Sequence, residues 1–169
     1  EQSLQPSEVI LVADSIDEGI EEVRIDVKEM FPKVEFVKSQ GKGMMRALNT
    51  GILRASHDFV SFLDSDDLWM PLKQERQIYE LARDPLIDVV TGNVMNFKDG
   101  GLHFVEDIKW VKASLFTCST FRAQAFEKYG LIDETASHFT WLYRWWSCAV
   151  VSGIRRIHLD LPSTMRRIH

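Results

Sequence analysis

Three carboxylates stand within four consecutive positions at Asp64, Asp66 and Asp67, directly behind the apolar run Phe59-Val60-Ser61-Phe62-Leu63. Crowded this closely in a folded site they repel one another, so a cation is expected among them. A hard divalent ion such as Mg²⁺ or Mn²⁺, held by one or two carboxylates, can in turn grip the phosphates of a nucleotide. The spacing therefore points to chemistry on a phosphate-bearing molecule. The competing reading is that Asp66 and Asp67 solvate a turn and cap the helix that starts near Pro71. Asp64 weakens it, because a carboxylate at the strand's own end is not needed for a cap.

The elements that must carry these groups belong to a chain of 169 residues, one domain's worth, with 45% hydrophobic and 27% charged residues. That composition supports a folded core. A formal net charge of −5 gives no general attraction to nucleic acid or anionic lipid, and the tail Thr164-Met165-Arg166-Arg167-Ile168-His169 is the best candidate for a local basic patch. No run approaches the ~20 apolar residues of a membrane span, and no secretory signal opens the chain. Cys118 and Cys148 have neither the density of a disulfide scaffold nor the paired spacing of a zinc site, so a cytoplasmic location is expected.

Short β-rich runs alternate with helical patterns, the sign of a mostly parallel sheet with helices on its faces. Residues 8–14 read as a buried strand ending in Asp14. Ile20, Val23, Val27 and Met30 recur at helical spacing until Pro32. Residues 34–37 form a strand that leads into Gly41-Lys42-Gly43, a loop that lets backbone amides approach a ligand. Met45, Leu48 and Ile52 mark a helix, residues 58–63 a strand, 72–83 a helix and 89–97 a further strand. Ligands of open α/β sheets bind beyond the carboxyl ends of strands, and Asp14, the glycine loop and the acidic cluster all fall at such ends.

The runs from Glu8 to Asp14, from Gln40 to Ile52 and from Phe59 to Pro71 together resemble the nucleotide-sugar half of a family 2 glycosyltransferase of the GT-A fold. The likeness continues through residues 72–77 and again through 119–134. It implies a Rossmann-like α/β domain over 1–169, with a nucleotide-sugar half over about 1–99 and an acceptor-side half over about 100–169. The family's opening strand is missing from its usual place before Glu1, which implies a fragment, an altered strand order, or a strand exchanged between copies of a homo-oligomer.

The resemblance also implies roles. Asp14 falls where the family binds the base or ribose, Lys42 and Arg46 where a cation meets phosphate, and Asn49 at a polar position near the nucleotide. Asp64 and Asp66 match the Asp-x-Asp motif, Asp64 toward the ribose and Asp66 on the metal, with Asp67 supporting the metal or capping the next helix. The implied partners are a UDP- or GDP-type sugar and an acceptor. The implied reaction is metal-dependent transfer, with Mn²⁺ or Mg²⁺ and inversion, to an acceptor hydroxyl.

An inverting enzyme needs a base for that hydroxyl. Aligning Arg144 with the family's arginine puts Ser137 and His138 where the acidic pair usually lies. His138 is the candidate base, since imidazole is about half neutral near pH 6.5, with Asp133 and Glu134 nearby as alternatives. The departure also leaves open a non-catalytic nucleotide-sugar binding or scaffold domain. A phosphoryl transferase using Asp64 as nucleophile is disfavoured, because the threonine or lysine partners it needs are not evident. Trp141, Trp145 and Trp146 read as a core stripe, Trp110 as an aromatic for sugar stacking in the acceptor region 100–112, and His57, His103 and His158 as structural or surface residues.

Overall fold

The structure is a computed structural model that describes residues 2–14, 27–28, 34–98 and 109–168. Most of the helix expected around Ile20, Val23 and Met30, its stop at Pro32, and most of the expected acceptor region, His103 included, lie outside the described residues. The chain forms two compact units, each assembled from non-contiguous segments: Glu1–Gln5, Phe59–Ala125 and Ile154–His169 in one, Pro6–Asp58 and Phe126–Gly153 in the other. This division follows packing and cuts across a boundary drawn at residue 99.

The first unit is built on a six-stranded sheet. Its strands are β3 (Phe59–Ser61), β4 (Leu68–Trp69), β5 (Val89–Phe97), β6 (Val111–Lys112), β7 (Ser119–Arg122) and β8 (Arg156–Arg167). They run in the order β3-β7-β5-β8-β4, with β6 also paired to β5. Only β5 and β8 pair in parallel, and β3–β7, β5–β7, β5–β6 and β4–β8 are antiparallel. This sheet is therefore mixed rather than mostly parallel. Short antiparallel returns such as β7 need no helical crossover, and that is what the expectation from alternating patterns overlooked.

β5 is rich in β-branched residues and buried over its first seven positions, as a central strand requires. Its register with β8 shifts on either side of Asn93, which faces Pro162. A proline cannot donate to a ladder, so it is tolerated at such an irregularity. A Cβ on Gly92 would run into Ser163, so the approach of β8 requires glycine there. Helix α2 (Lys73–Arg83), composed mainly of straight-chain helix formers, covers one face of the sheet. Leu81, Ile87 and Val90 form the core there, with Phe59, Ile157 and Leu159 packed against it. A second cluster joins Phe62, Phe116 and Phe121, with ring centroids 4.8–5.9 Å apart.

The remaining buried face of α2 is polar. Lys73 and Gln77 are fully buried. Gln77 donates to Cys118 O at 2.8 Å and accepts from Thr120 at 2.7 Å. The Lys73 ammonium lies 4.4 Å from the centre of the Trp69 ring and reaches Ser119 O and Thr120 Oγ1 only at 3.3 and 3.4 Å.

The second unit pairs β1 (Val9–Ala13) with β2 (Val34–Lys38) in parallel and lays α1 (Met44–Arg54) against β1. Gly51 faces Val12 at that contact: a Cβ there would sit 3.4 Å from the Val12 side chain. The unit also contains α3 (Gln124–Tyr129), which starts at the end of the first unit, and α4 (Trp141–Val151). Trp141, Trp145 and Trp146 are buried, as the core reading of that stripe expects. Trp145 donates to Gly130 O at 2.9 Å and packs on Phe126. Among the described residues no helix is long and apolar enough to cross a membrane.

Candidate functional site

The acidic cluster sits in the first unit, in the link between β3 and β4. The amide of Asp67 donates to Asp64 O at 3.1 Å, which closes residues 64–67 into a turn. β4 then anchors the turn by pairing Leu68 and Trp69 with Met165 and Thr164 of β8. Asp67 does not cap the following helix: that position is Leu72, and no side chain caps it. Instead the Asp67 carboxylate is buried, and its Oδ1 accepts the Arg167 amide at 3.0 Å. Its Oδ2 is buried with no hydrogen-bond partner.

The electrostatics are those of a crowded anion site. Desolvation, with Asp67 and Asp66 close by, pushes the Asp64 carboxyl up to about 6, against the opposing charge of Arg166. Burial also raises Asp67, while the Arg167 amide and the Arg166 and Arg167 charges pull it down. Arg167 donates from Nε to Asp66 O at 3.2 Å, and its guanidinium lies 5.4 Å from the Phe97 ring centre. Arg166 and Arg167 are thus part of this site. Sequence reading placed them in a basic tail, since only the pairing of β4 with β8 brings them to the turn.

The donor set suits a hard cation. Among the described residues no three His, Cys, Asp or Glu side chains converge on one metal position. A divalent ion bridging a diphosphate needs fewer, because Mg²⁺-type sites take one or two carboxylates and complete their shell with phosphate oxygens and water. The partnerless Asp67 Oδ2 is a ready ligand, and Asp66 is its immediate neighbour.

The other expected residues lie in the second unit. The Asp14 carboxylate accepts the Gly43 amide at 2.9 Å, which ties the end of β1 to the glycine loop. Gly43 has φ 105, a left-handed conformation that favours glycine, and it opens α1. Lys42 is exposed. Arg46 pairs with Glu134 at 3.2 Å. Asn49 is buried, exchanges two hydrogen bonds with the Ile132 backbone at 2.8 and 2.9 Å, and donates a third to Glu134 at 3.0 Å. Those bonds use both of its donors, so Asn49 fastens the 132–134 segment to α1.

Of the expected base candidates, Asp133 is held in a turn by Thr135 and pairs with Arg144 at 2.8 Å. The Thr135 hydrogen bonds, with a smaller contribution from Arg144, hold its carboxyl below the usual range. Glu134 is engaged by Arg46 and Asn49. His138 is exposed and meets Phe139 edge to face at 5.7 Å. Trp110 is half-buried.

Comparison with known proteins bears on the family and the fold. The chain is 28% identical over 102 residues to the amylovoran biosynthesis glycosyltransferase AmsE of Erwinia amylovora, covering 60% of this chain and 38% of that one. It is 25% identical over 147 residues to the putative glycosyltransferase EpsH of Bacillus subtilis, covering 85% of this chain and 40% of that one. The chain therefore spans well under half of either relative. Its fold matches S. aureus TarS 1–349, solved in complex with UDP, with a TM-score of 0.74 at 15% identity over 99% of this chain and 53% of that one. The profile described as Glycosyl transferase family 2 matches residues 1–144. With that span matched and a GT-A fold around its acidic turn, the chain belongs to glycosyltransferase family 2.

Proposed function

We propose that this chain transfers a sugar from a nucleoside-diphosphate donor to an acceptor hydroxyl, with inversion and with a divalent ion at the acidic turn. The observation that carries the reading is the buried, partnerless Oδ2 of Asp67, in a turn where desolvation, aided by the charges of Asp67 and Asp66, lifts Asp64 to about 6. Such a site gains from a cation. Asp66 and Asp67 would hold Mn²⁺ or Mg²⁺, whose role when bound is to neutralise the charge that develops on the departing diphosphate. By family resemblance Asp64 would serve the ribose, Asp14 the base or ribose, and Lys42 and Arg46 the phosphates, Arg46 on release from Glu134. Arg166 and Arg167 limit the anionic charge of the turn so that its carboxylates remain ionised for the ion. Since TarS was solved with UDP, a UDP sugar is the first donor to try, followed by GDP sugars.

In the acceptor half, a ring nitrogen of His138 takes the hydroxyl proton as the oxygen attacks the anomeric carbon. Calorimetric titration with UDP and GDP sugars, with and without Mn²⁺, tests the donor reading on the wild type and Asp66→Asn. Mn²⁺-dependent binding that Asp66→Asn abolishes is expected, and binding indifferent to both would sink it. A transfer assay on His138→Ala tests the base, and full activity would remove that role. Donor binding without turnover in the wild type would support the nucleotide-sugar binding domain, the reading favoured by Ser137 and His138 standing where the family has carboxylates.

A further inference from the structure

The sheet of the first unit has two unlike faces. Along β8, Ile157 and Leu159 turn toward the core under α2, so Arg156, His158 and Asp160 project to the other side by the two-residue period of a strand. β5 presents Thr91 and Asn93 to the same side, where both bond to His158. A cavity of about 370 Å³ opens there, lined by Thr91, Lys112, Ala113, Ser114, Arg156 and His158. Thr91 of β5, Lys112 of β6 with Ser114 just beyond it, and Arg156 and His158 of β8 thus bring three basic side chains and two hydroxyls to one concave surface. None of these residues belongs to the acidic turn.

The imidazole in that wall is fixed at both ends. Asn93 donates to Asp160 at 2.8 Å, so its oxygen faces the ring and accepts from His158 Nε2 at 3.0 Å. Nδ1 meets the Thr91 hydroxyl at 2.9 Å. His158 is therefore held in the cavity wall at both ring nitrogens. Desolvation and the charges of Lys112 from β6 and Arg156 from β8 lower its pKa, while Asp160 raises it. β5 contributes only the uncharged Thr91 and Asn93. Both cations line the same cavity as the ring, so an anion that enters meets them together.

We infer that this cavity binds a phosphate-class oxyanion, held by Lys112, Arg156 and the Ser114 hydroxyl, with His158 as the titrating wall. A cavity of this volume admits more than one phosphate group, so the anion is either free phosphate or the phosphate of a larger phosphomonoester. The chemistry is independent of the donor reading.

The test follows the histidine ring protons of the 169-residue chain by NMR across pH 5–9, with His158 assigned by His158→Gln. Spectra are taken in chloride, in inorganic phosphate and in glucose 1-phosphate at matched ionic strength, with glucose as the uncharged control. An anion between Lys112 and Arg156 should raise the His158 pKa by about one unit, leaving His57 and His138 in place. Lys112→Gln with Arg156→Gln should abolish that rise, whereas Lys112→Arg should keep it. Both replaced side chains are exposed, and unchanged amide signals from Leu81 and Val90 in the core of the same unit report that the variants fold. A response at lower concentration to the sugar phosphate identifies a phosphomonoester, and equal potency identifies free phosphate. Identical titrations in phosphate and chloride, or a shift that persists in the double variant, would overturn the assignment.

Discussion

Replacing Lys73 with Met should stabilise the protein, and by an amount that shrinks as pH rises. The ammonium is fully buried and, among the described residues, meets the Trp69 face and two long hydrogen bonds and no carboxylate. Desolvation takes its pKa from 10.5 to about 7, with Cys118 acting weakly the other way. Below pH 7 both folded and unfolded chains carry the proton, and the folded state bears the full penalty of burying the charge. As pH climbs toward 10.5 the folded lysine is neutral while the unfolded one is still charged, so the penalty is progressively relieved. Each unit of separation corresponds to about 1.4 kcal/mol, so the penalty is about 5 kcal/mol at pH 6 and about 2 kcal/mol at pH 9. Lost contact with Trp69 and the packing of Met offset part of this in the absolute difference. The change of about 3 kcal/mol between the two pH values is linkage alone. Urea unfolding of wild type and Lys73→Met at pH 6, 7, 8 and 9 reads it directly. A stability gap that stays constant across that range would refute the reasoning, since Lys73 would then titrate alike in both states.

The raised pKa of Asp64 predicts that Mn²⁺-dependent donor binding weakens as pH falls from 7 to 5, and that Asp64→Asn loses this response in the same calorimetric titration. Asn49→Ala should cost about 2 kcal/mol in denaturant unfolding, because it leaves the buried Ile132 amide and carbonyl without partners. Faster hydrogen exchange at the Ile132 amide is expected with it. Gly92→Ala should destabilise by about 1–3 kcal/mol, since its Cβ meets Ser163. Adding Ser163→Gly should restore much of that loss if the clash is the cause, as unfolding midpoints of the single and double variants will show. Leu81→Ala, at a fully buried core position, should lower stability by about 3 kcal/mol by the same measurement.

Much of the scaffold was legible because its signals are local. The strand at Val89–Phe97 and the helix marked by Met45, Leu48 and Ile52 lie where pattern places them. Asp14 and the glycine loop meet, as strand ends carrying a carboxylate and a permissive backbone suggest. β8 was missed, although its signal is present: Ile157, Leu159 and Leu161 alternate with Arg156, His158 and Asp160. Charges and Pro162 disguised it as a tail. The buried face of α2 was hidden for another reason. Lys73, Gln74 and Gln77 are polar, and hydrophobic periodicity cannot mark polar residues that pack into a core. At the acidic turn the carboxylates announced themselves. The arginines beside them did not, since nothing near residue 66 in sequence indicates them, and the hold of Asn49 on the 132–134 segment was equally hidden, because its partners lie more than 80 residues away.

The hydrogen bond from the Arg167 amide to Asp67 joins positions 100 residues apart, and β8, which makes it, lies inside the sheet between β5 and β4. On a ribosome, β5 therefore emerges long before the neighbour that completes its ladder, and the acidic turn hangs from a two-residue strand with nothing to pair against. High contact order of this kind slows folding and prolongs exposure of an apolar edge. The contacts that Arg167 makes with Asp66 and Asp67 can form only after β8 has been synthesised and has docked between β5 and β4, so the turn is without its arginine partner until then.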